Sequence, residues 1–262
     1  MGFPSVTIIG AGAVGTSYSG IIKDTMLYGR DINAPYFNHI KINNYTTDTE
    51  YIKKADIIIF CVKAYDLYDA IKQYRNIINK ECIIILLSNG MYHRVFYKRL
   101  LNGFTSVWAG FTTLAATRKD NNIFLVNKGR LELSRLSEYA EIPDMNGIKF
   151  SIGDYDEQSW KKGIINSLIN PVCVKYDIKN GDILKNKDAY DEFLSNYDKL
   201  KNISIMCNRN MPDLESVIKV IKATSDNVCS SLQDKRNNRP SEMKYFLNFF
   251  EKLYKMLGEN VV

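Results

Sequence analysis

Apolar residues change their spacing once along this chain, near Gly153. Before that point they come in short unbroken runs, and after it they recur every three or four residues. Val6–Ile9, the DIIIFCV run at 56–62 and the CIIILL run at 82–87 resemble strands buried on both faces of a parallel sheet. Thr25–Tyr28, 106–111, Asn122–Asn127 and 131–134 read as further strands, and the later ones have the option of antiparallel pairing. Helical patterns at 16–23, 66–74 and 92–101 lie between them. Strand, helix, strand, helix predicts a doubly wound, Rossmann-type α/β domain over residues 1–153. The segment 33–49, rich in Asn, Thr and Tyr, fits neither period.

Residues 154–262 show helical spacing only, at 156–174, 189–208, 214–232 and 242–257, which predicts an all-α C-terminal domain. In the last pattern Met243, Phe246, Leu247, Phe250, Leu253, Tyr254 and Leu257 form one apolar face. The first pattern departs from an ordinary amphipathic helix. Lys162, Asn166 and Asn170 stand four apart, and so share a face, while Ile164, Ile165, Leu168, Ile169 and Val172 make the remainder apolar. Asn is a poor helix former because its side chain competes for backbone groups. Pro171 cannot donate to the carbonyl of Ser167 and disfavours helical dihedrals at Asn170. A solvated face is the bland alternative, but Glu, Lys or Gln would fill one at less cost. Local rules broken together point instead to a helix facing a ligand cleft between the two domains.

Composition narrows the classes. The 262 residues are 45% hydrophobic and 24% charged, as expected of a soluble globular protein. The net charge of +6, from 35 basic and 29 acidic residues, includes no dense basic run, which argues against nucleic acid and for a mild attraction to small anions. Five scattered cysteines (61, 82, 173, 207 and 229), with no C-x-x-C pair, argue against a disulfide framework or a zinc site and suit a reducing, cytoplasmic compartment. The first apolar run is short and ends in glycines, so no signal peptide is expected, and no run is long enough for a membrane span.

Gly10-Ala11-Gly12-Ala13-Val14-Gly15 satisfies G-x-G-x-x-G with a strand before it and a helix after it. The first Gly makes the turn, the second admits a pyrophosphate to the backbone, and the third lets helix pack closely on strand. About twenty residues on, an acid would read the ribose of NAD and an Arg the extra phosphate of NADP. Here Arg30 and Asp31 are adjacent. Arg30 follows Gly29 directly and takes the phosphate role, while Asp31 is its ion-pair partner or a turn residue; as ribose reader, it is the competing choice. Lys63 and Asn89-Gly90 each close an apolar strand, which on a parallel sheet places them at the ligand edge. A snorkelling lysine and a plain turn are the alternatives. Glu242 opens the last helical pattern, where a helix dipole would tolerate an anion, and Ser230 lies on the other side of the preceding turn. His39 and His93 receive no role.

These pieces together resemble the ketopantoate reductase family over nearly the whole chain. GAGAVG at 10–15, VKAY at 62–65, NGM at 89–91 and GFTTLAA at 110–116 are similar to its cofactor-domain motifs, although that family often has His where Leu114 stands. WKKGIINSLINP at 160–171 resembles its W-x-K-x-x-x-N-x-x-x-N-P helix, and NVCSSLQDKRNNRPSE at 227–242 its S-S-x-x-Q-D-x-x-x-x-R-x-x-E segment. The resemblance implies NADPH-dependent reduction of 2-dehydropantoate to pantoate on the route to coenzyme A. By position it makes Lys162 the general acid and Glu242 the carboxylate that helps position substrate. It also places Asn89, Asn166, Asn170 and Ser230 at the 2-keto acid, and Lys63 close to both cofactor and substrate. A reductase of another branched 2-keto acid and a non-catalytic NADP-binding sensor are the competing readings, and a homodimer is left open.

Overall fold

The computed structural model describes residues 5–141, 143–145 and 148–258. The chain divides into two compact units, Met1–Tyr155 and Asp156–Val262. In chain order the first runs β1 (Val6–Ile9), α1 (Ala13–Ile21), β2 (Thr25–Tyr28), β3 (Tyr36–Phe37), β4 (Ile40–Lys41), β5 (Tyr45–Thr46), α2 (Glu50–Lys53), β6 (Ile57–Phe60) and α3 (Ala64–Tyr74). It continues with β7 (Ile83–Leu86), α4 (His93–Phe96), β8 (Ser106–Thr112), β9 (Ala115–Lys119), β10 (Asn122–Asn127), β11 (Leu131–Arg135) and β12 (Phe150–Ile152).

Eight strands form one sheet in the order β12-β11-β8-β7-β6-β1-β2-β5. Its centre is parallel, and β11 runs antiparallel to β8. The unbroken apolar runs are explained by burial on both faces. Ile58 and Phe60 join Leu67 and Ile71 of α3 in one core cluster, while Ile57, Ile59 and Cys61 join Tyr18 and Ile22, from α1 and its C-cap, in another. A helix on either side of a parallel sheet is the doubly wound arrangement expected from the sequence.

The stretch 33–49, unreadable by period, supplies three two-residue strands. β3 and β4 join β9 and β10 in a separate four-stranded sheet ordered β4-β3-β10-β9, and β5 extends the main sheet beside β2. Two residues are too few to carry a period, and β3 pairs with a strand far along the chain, so only tertiary contact reveals it. β9, the AATRK run at 115–119, is likewise not anticipated by the sequence pattern.

Among its described residues the regular elements of the second unit are all helical: α5 (Tyr155–Tyr176, whose first residue closes the first unit), α6 (Lys187–Met206), α7 (Leu214–Ala223), α8 (Ser230–Arg236) and α9 (Leu247–Gly258). Short 3₁₀ turns occupy Asn180–Leu184 and Met243–Tyr245. α6 and α7 begin on side-chain caps, Asn186 accepting from the N–H of Ala189 and Asp213 from that of Ser216. α5 buries Ile164, Leu168, Val172 and Cys173 completely.

Two expected helices are corrected. The pattern 214–232 is not one helix, because Thr224-Ser225-Asp226-Asn227 is captured by the turn at 180–184. Asn180 N–H donates to Asn227 O at 3.0 Å, Gly181 N–H to Ser225 O at 3.0 Å, and Asn180 Nδ2 to Thr224 Oγ1 at 3.0 Å. The pattern 242–257 is also interrupted: Glu242 leads into the 3₁₀ turn, and the α-helix starts only at Leu247. A helix dipole is therefore not what accommodates the Glu242 carboxylate, and Ser230, which opens α8, is separated from Glu242 by the rest of that helix as well as by a turn. Phe246 and Phe250 are buried as that apolar face requires; the side chains of Tyr254 and Leu257 lie outside the described residues.

Candidate active site

In the first unit Ile9 stands opposite both Tyr28 and Phe60, and Phe60 opposite Leu86, all in parallel register. The residues that follow these four strands therefore share one sheet edge, which gathers the glycine turn, Arg30, Lys63 and Asn89. At the turn each glycine has a separate cause. Gly10 has φ +118°, and a Cβ on it would lie 2.8 Å from Cys61 O. A Cβ on Gly15 would lie 2.0 Å from Gly10 O, so helix α1 packs on the strand only because none is present. Gly12 is different. Its backbone (φ −82°, ψ −174°) suits any residue, and a Cβ there would meet nothing within 4 Å. The fold does not need a glycine at 12, and the backbone there is open to an approaching ligand. With Gly12 as the N-cap of α1 and no acid in the first turn, the N–H groups of this turn fit a dinucleotide pyrophosphate.

Arg30 is exposed just beyond β2. The Asp31 carboxylate accepts from Asn33 N–H at 3.0 Å, and the Tyr45 hydroxyl donates to Asp31 O, so Asp31 fulfils the turn role that was one of its readings. Lys63 is the partly buried N-cap of α3, and Asn89 is partly buried ahead of Gly90, whose φ is +105°.

The second unit contains the other group. Lys162, Asn166 and Asn170 do lie along α5, and exposure falls along the stripe from partial at Lys162 and Asn166 to 4% at Asn170. Burial pushes the Lys162 ammonium down from 10.5 to about 8, while the Glu242 carboxylate pulls it back up. Glu242 is itself only 3% exposed. A buried carboxylate thus lies beside a half-buried lysine 80 positions away in sequence; the resemblance gave each a role in the site, and spacing alone did not reveal their pairing. Lys161, by contrast, is exposed.

Asn170 Nδ2 donates to Ser231 Oγ at 3.1 Å, and Ser231 is 1% exposed. Ser230, the sequence candidate, is the exposed first residue of α8. Of the two neighbouring hydroxyls, then, the one that meets the asparagine stripe is Ser231. Adjacent serines are indistinguishable in sequence, and the hundred degrees between them on a helix separates their surroundings.

Comparison with known proteins matches this architecture. The family model described as "Ketopantoate reductase PanE/ApbA" covers residues 6–138, and its C-terminal counterpart covers 154–259. A 2-dehydropantoate 2-reductase of Yersinia pestis is 26% identical over 93% of this chain and 86% of its own. Among solved structures, a PanE/ApbA family ketopantoate reductase from Ralstonia eutropha superposes with a TM-score of 0.83 at 18% identity, over 97% of this chain and 92% of that one. D-mandelate dehydrogenase in complex with NADH superposes at 0.80 and 17%, over 97% and 93%. Among the described residues no helix is long and apolar enough to cross a membrane.

Proposed function

Because the chain belongs to the ketopantoate reductase family, we propose that it reduces 2-dehydropantoate to pantoate with NADPH. The observation that carries this reading is the desolvated Lys162 ammonium with Glu242 beside it, on a helix that also presents Asn166 and Asn170. When bound, a nicotinamide would supply hydride to the 2-keto carbon. As negative charge develops on the carbonyl oxygen, the Lys162 ammonium stabilises it and gives up its proton. Glu242 keeps that ammonium charged to a higher pH than burial alone would allow and helps to hold the substrate. Asn166, Ser230 and Asn89 offer neutral donors to the substrate carboxylate and hydroxyl. Asn170 Nδ2 is already bonded to Ser231, which leaves its Oδ1 to accept from a substrate hydroxyl.

On the cofactor side, Gly10, Ala11, Gly12, Ala13, Val14 and Gly15 line the pyrophosphate turn. Arg30 takes the 2′-phosphate in a charge-assisted fork, and Lys63 lies near both ligands. A reductase of another branched 2-keto acid is the second reading, favoured by the fold shared with D-mandelate dehydrogenase.

The test is NADPH oxidation against ketopantoate, its deoxy analogue, other branched 2-keto acids and pyruvate. Ketopantoate is expected to have the highest specificity constant, because a site built to pair a hydroxyl rejects analogues that lack one. Equal constants for ketopantoate and the deoxy analogue would favour the second reading, and no turnover of any 2-keto acid would leave a non-catalytic NADP-binding protein.

A further inference from the structure

His93 is 1% exposed behind the turn that carries Asn89. Its Nε2 lies 3.1 Å from the carbonyl oxygen of Ser88 and 3.2 Å from Ser88 Oγ, so the Nε2–H tautomer donates to the residue immediately before Asn89. The far side of the same turn is also held. The Tyr155 hydroxyl donates to Met91 O at 3.3 Å and accepts from Arg94 N–H at 3.4 Å. The phenol is fixed in turn: the Arg94 guanidinium sits 4.6 Å from its ring centroid, and the His93 ring meets those of Phe111 and Tyr155 edge-on at 5.7 and 6.2 Å. Between the two anchors lie Asn89 and Gly90, and Gly90 is in a left-handed conformation that other residues adopt at a cost.

We propose that His93 and Tyr155 are positioning residues, which clamp residues 88–91 from behind so that Asn89 is held ready for cofactor and substrate. The inference rests on the reading of Asn89 as a ligand contact. Turns beyond a sheet edge have few backbone bonds of their own and open easily. Anchoring both ends removes that freedom before the ligand arrives, so less of the binding energy is spent on ordering the turn. The clamp acts on binding and not on proton transfer. Its loss therefore raises KM and leaves kcat in place.

Tyr155→Phe keeps the ring and its stacking but removes the hydroxyl, and His93→Leu removes the donor to Ser88. Each is expected to raise KM for the 2-keto acid, and the NADPH dissociation constant, by roughly three- to tenfold, the worth of one buried hydrogen bond, with kcat within about twofold. His93→Gln, which returns an N–H donor, should recover most of the loss. The control is Tyr197→Phe, which deletes a similar phenol-to-carbonyl bond (to Pro212 O, 3.1 Å) in the helical unit and should change neither constant. A merely structural role predicts the opposite split: fewer active molecules, hence lower kcat at unchanged KM, and that result overturns the proposal. So do unchanged constants in a folded Tyr155→Phe protein. Should His93→Leu fail to fold, Tyr155→Phe decides the matter alone. If the wild type turned over no 2-keto acid, the assigned activity would have failed instead, and NADPH binding by fluorescence titration would still compare the variants.

Discussion

The pH dependence of the reduction is the sharpest test of Lys162. A general acid works in its protonated form, so the rate should be level on the acid side of the lysine pKa and fall tenfold per pH unit above it. With Lys162 at about 8, roughly a tenth of the enzyme remains competent at pH 9, whereas a lysine at its ordinary 10.5 would be almost wholly protonated there. The assay is kcat/KM for the 2-keto acid across the pH range at saturating NADPH. Glu242→Gln removes the charge that raises the lysine pKa, so its alkaline limb should move to lower pH. Lys162→Ala should lose about 10²–10⁴ in turnover together with the limb itself, while still binding NADPH nearly normally. Lys161→Ala, altering an exposed neighbour about 100° around the helix, should behave as wild type. A limb near 10.5, or one that moves to higher pH in Glu242→Gln, would refute the argument that burial and Glu242 oppose each other at this ammonium. A dead Lys161→Ala beside an active Lys162→Ala would refute the assignment of the acid.

Arg30→Ala should raise KM for NADPH and barely alter that for NADH; better use of NADH by the wild type would make Asp31 the ribose reader. Gly12→Ala should leave the melting temperature unchanged but weaken cofactor binding, since its Cβ meets only open space, whereas Gly15→Ala should destabilise by about 1–3 kcal/mol or more, as overpacking does. Chemical denaturation of wild type and Lys162→Gln, compared across pH, isolates the lysine's linkage. Its folded pKa lies below the unfolded value, so between about 8 and 10.5 the unfolded chain holds the extra proton. The wild type should therefore gain stability relative to the variant over that window, by at most about 3 kcal/mol, with no change below it. A loss of relative stability over the same window would mean that the ammonium is favoured, not penalised, by its surroundings.

The amino-acid pattern alone determined the central strands, the glycine turn and the placement of Lys162, Asn166 and Asn170 on one helix. All of these follow from spacing within a single element. Short, unbroken, Ile-rich runs such as IIIF and IIIL read as strands covered on both sides, and residues four apart on a helix share a face wherever that helix sits. What the pattern could not decide depends on partners distant along the chain. The two-residue strands β3 and β4 exist because β10 pairs with β3, and the 214–232 pattern breaks because backbone groups at 180–181 bond its carbonyls. The burial of Glu242 beside Lys162, the bond from Asn170 to Ser231, and the pairing of His93 with Ser88 behind the Asn89 turn are of the same kind. Periodicity reports which side of an element is apolar. Which polar group is desolvated, and against what, depends on packing between elements, and that packing set the chemistry of Lys162.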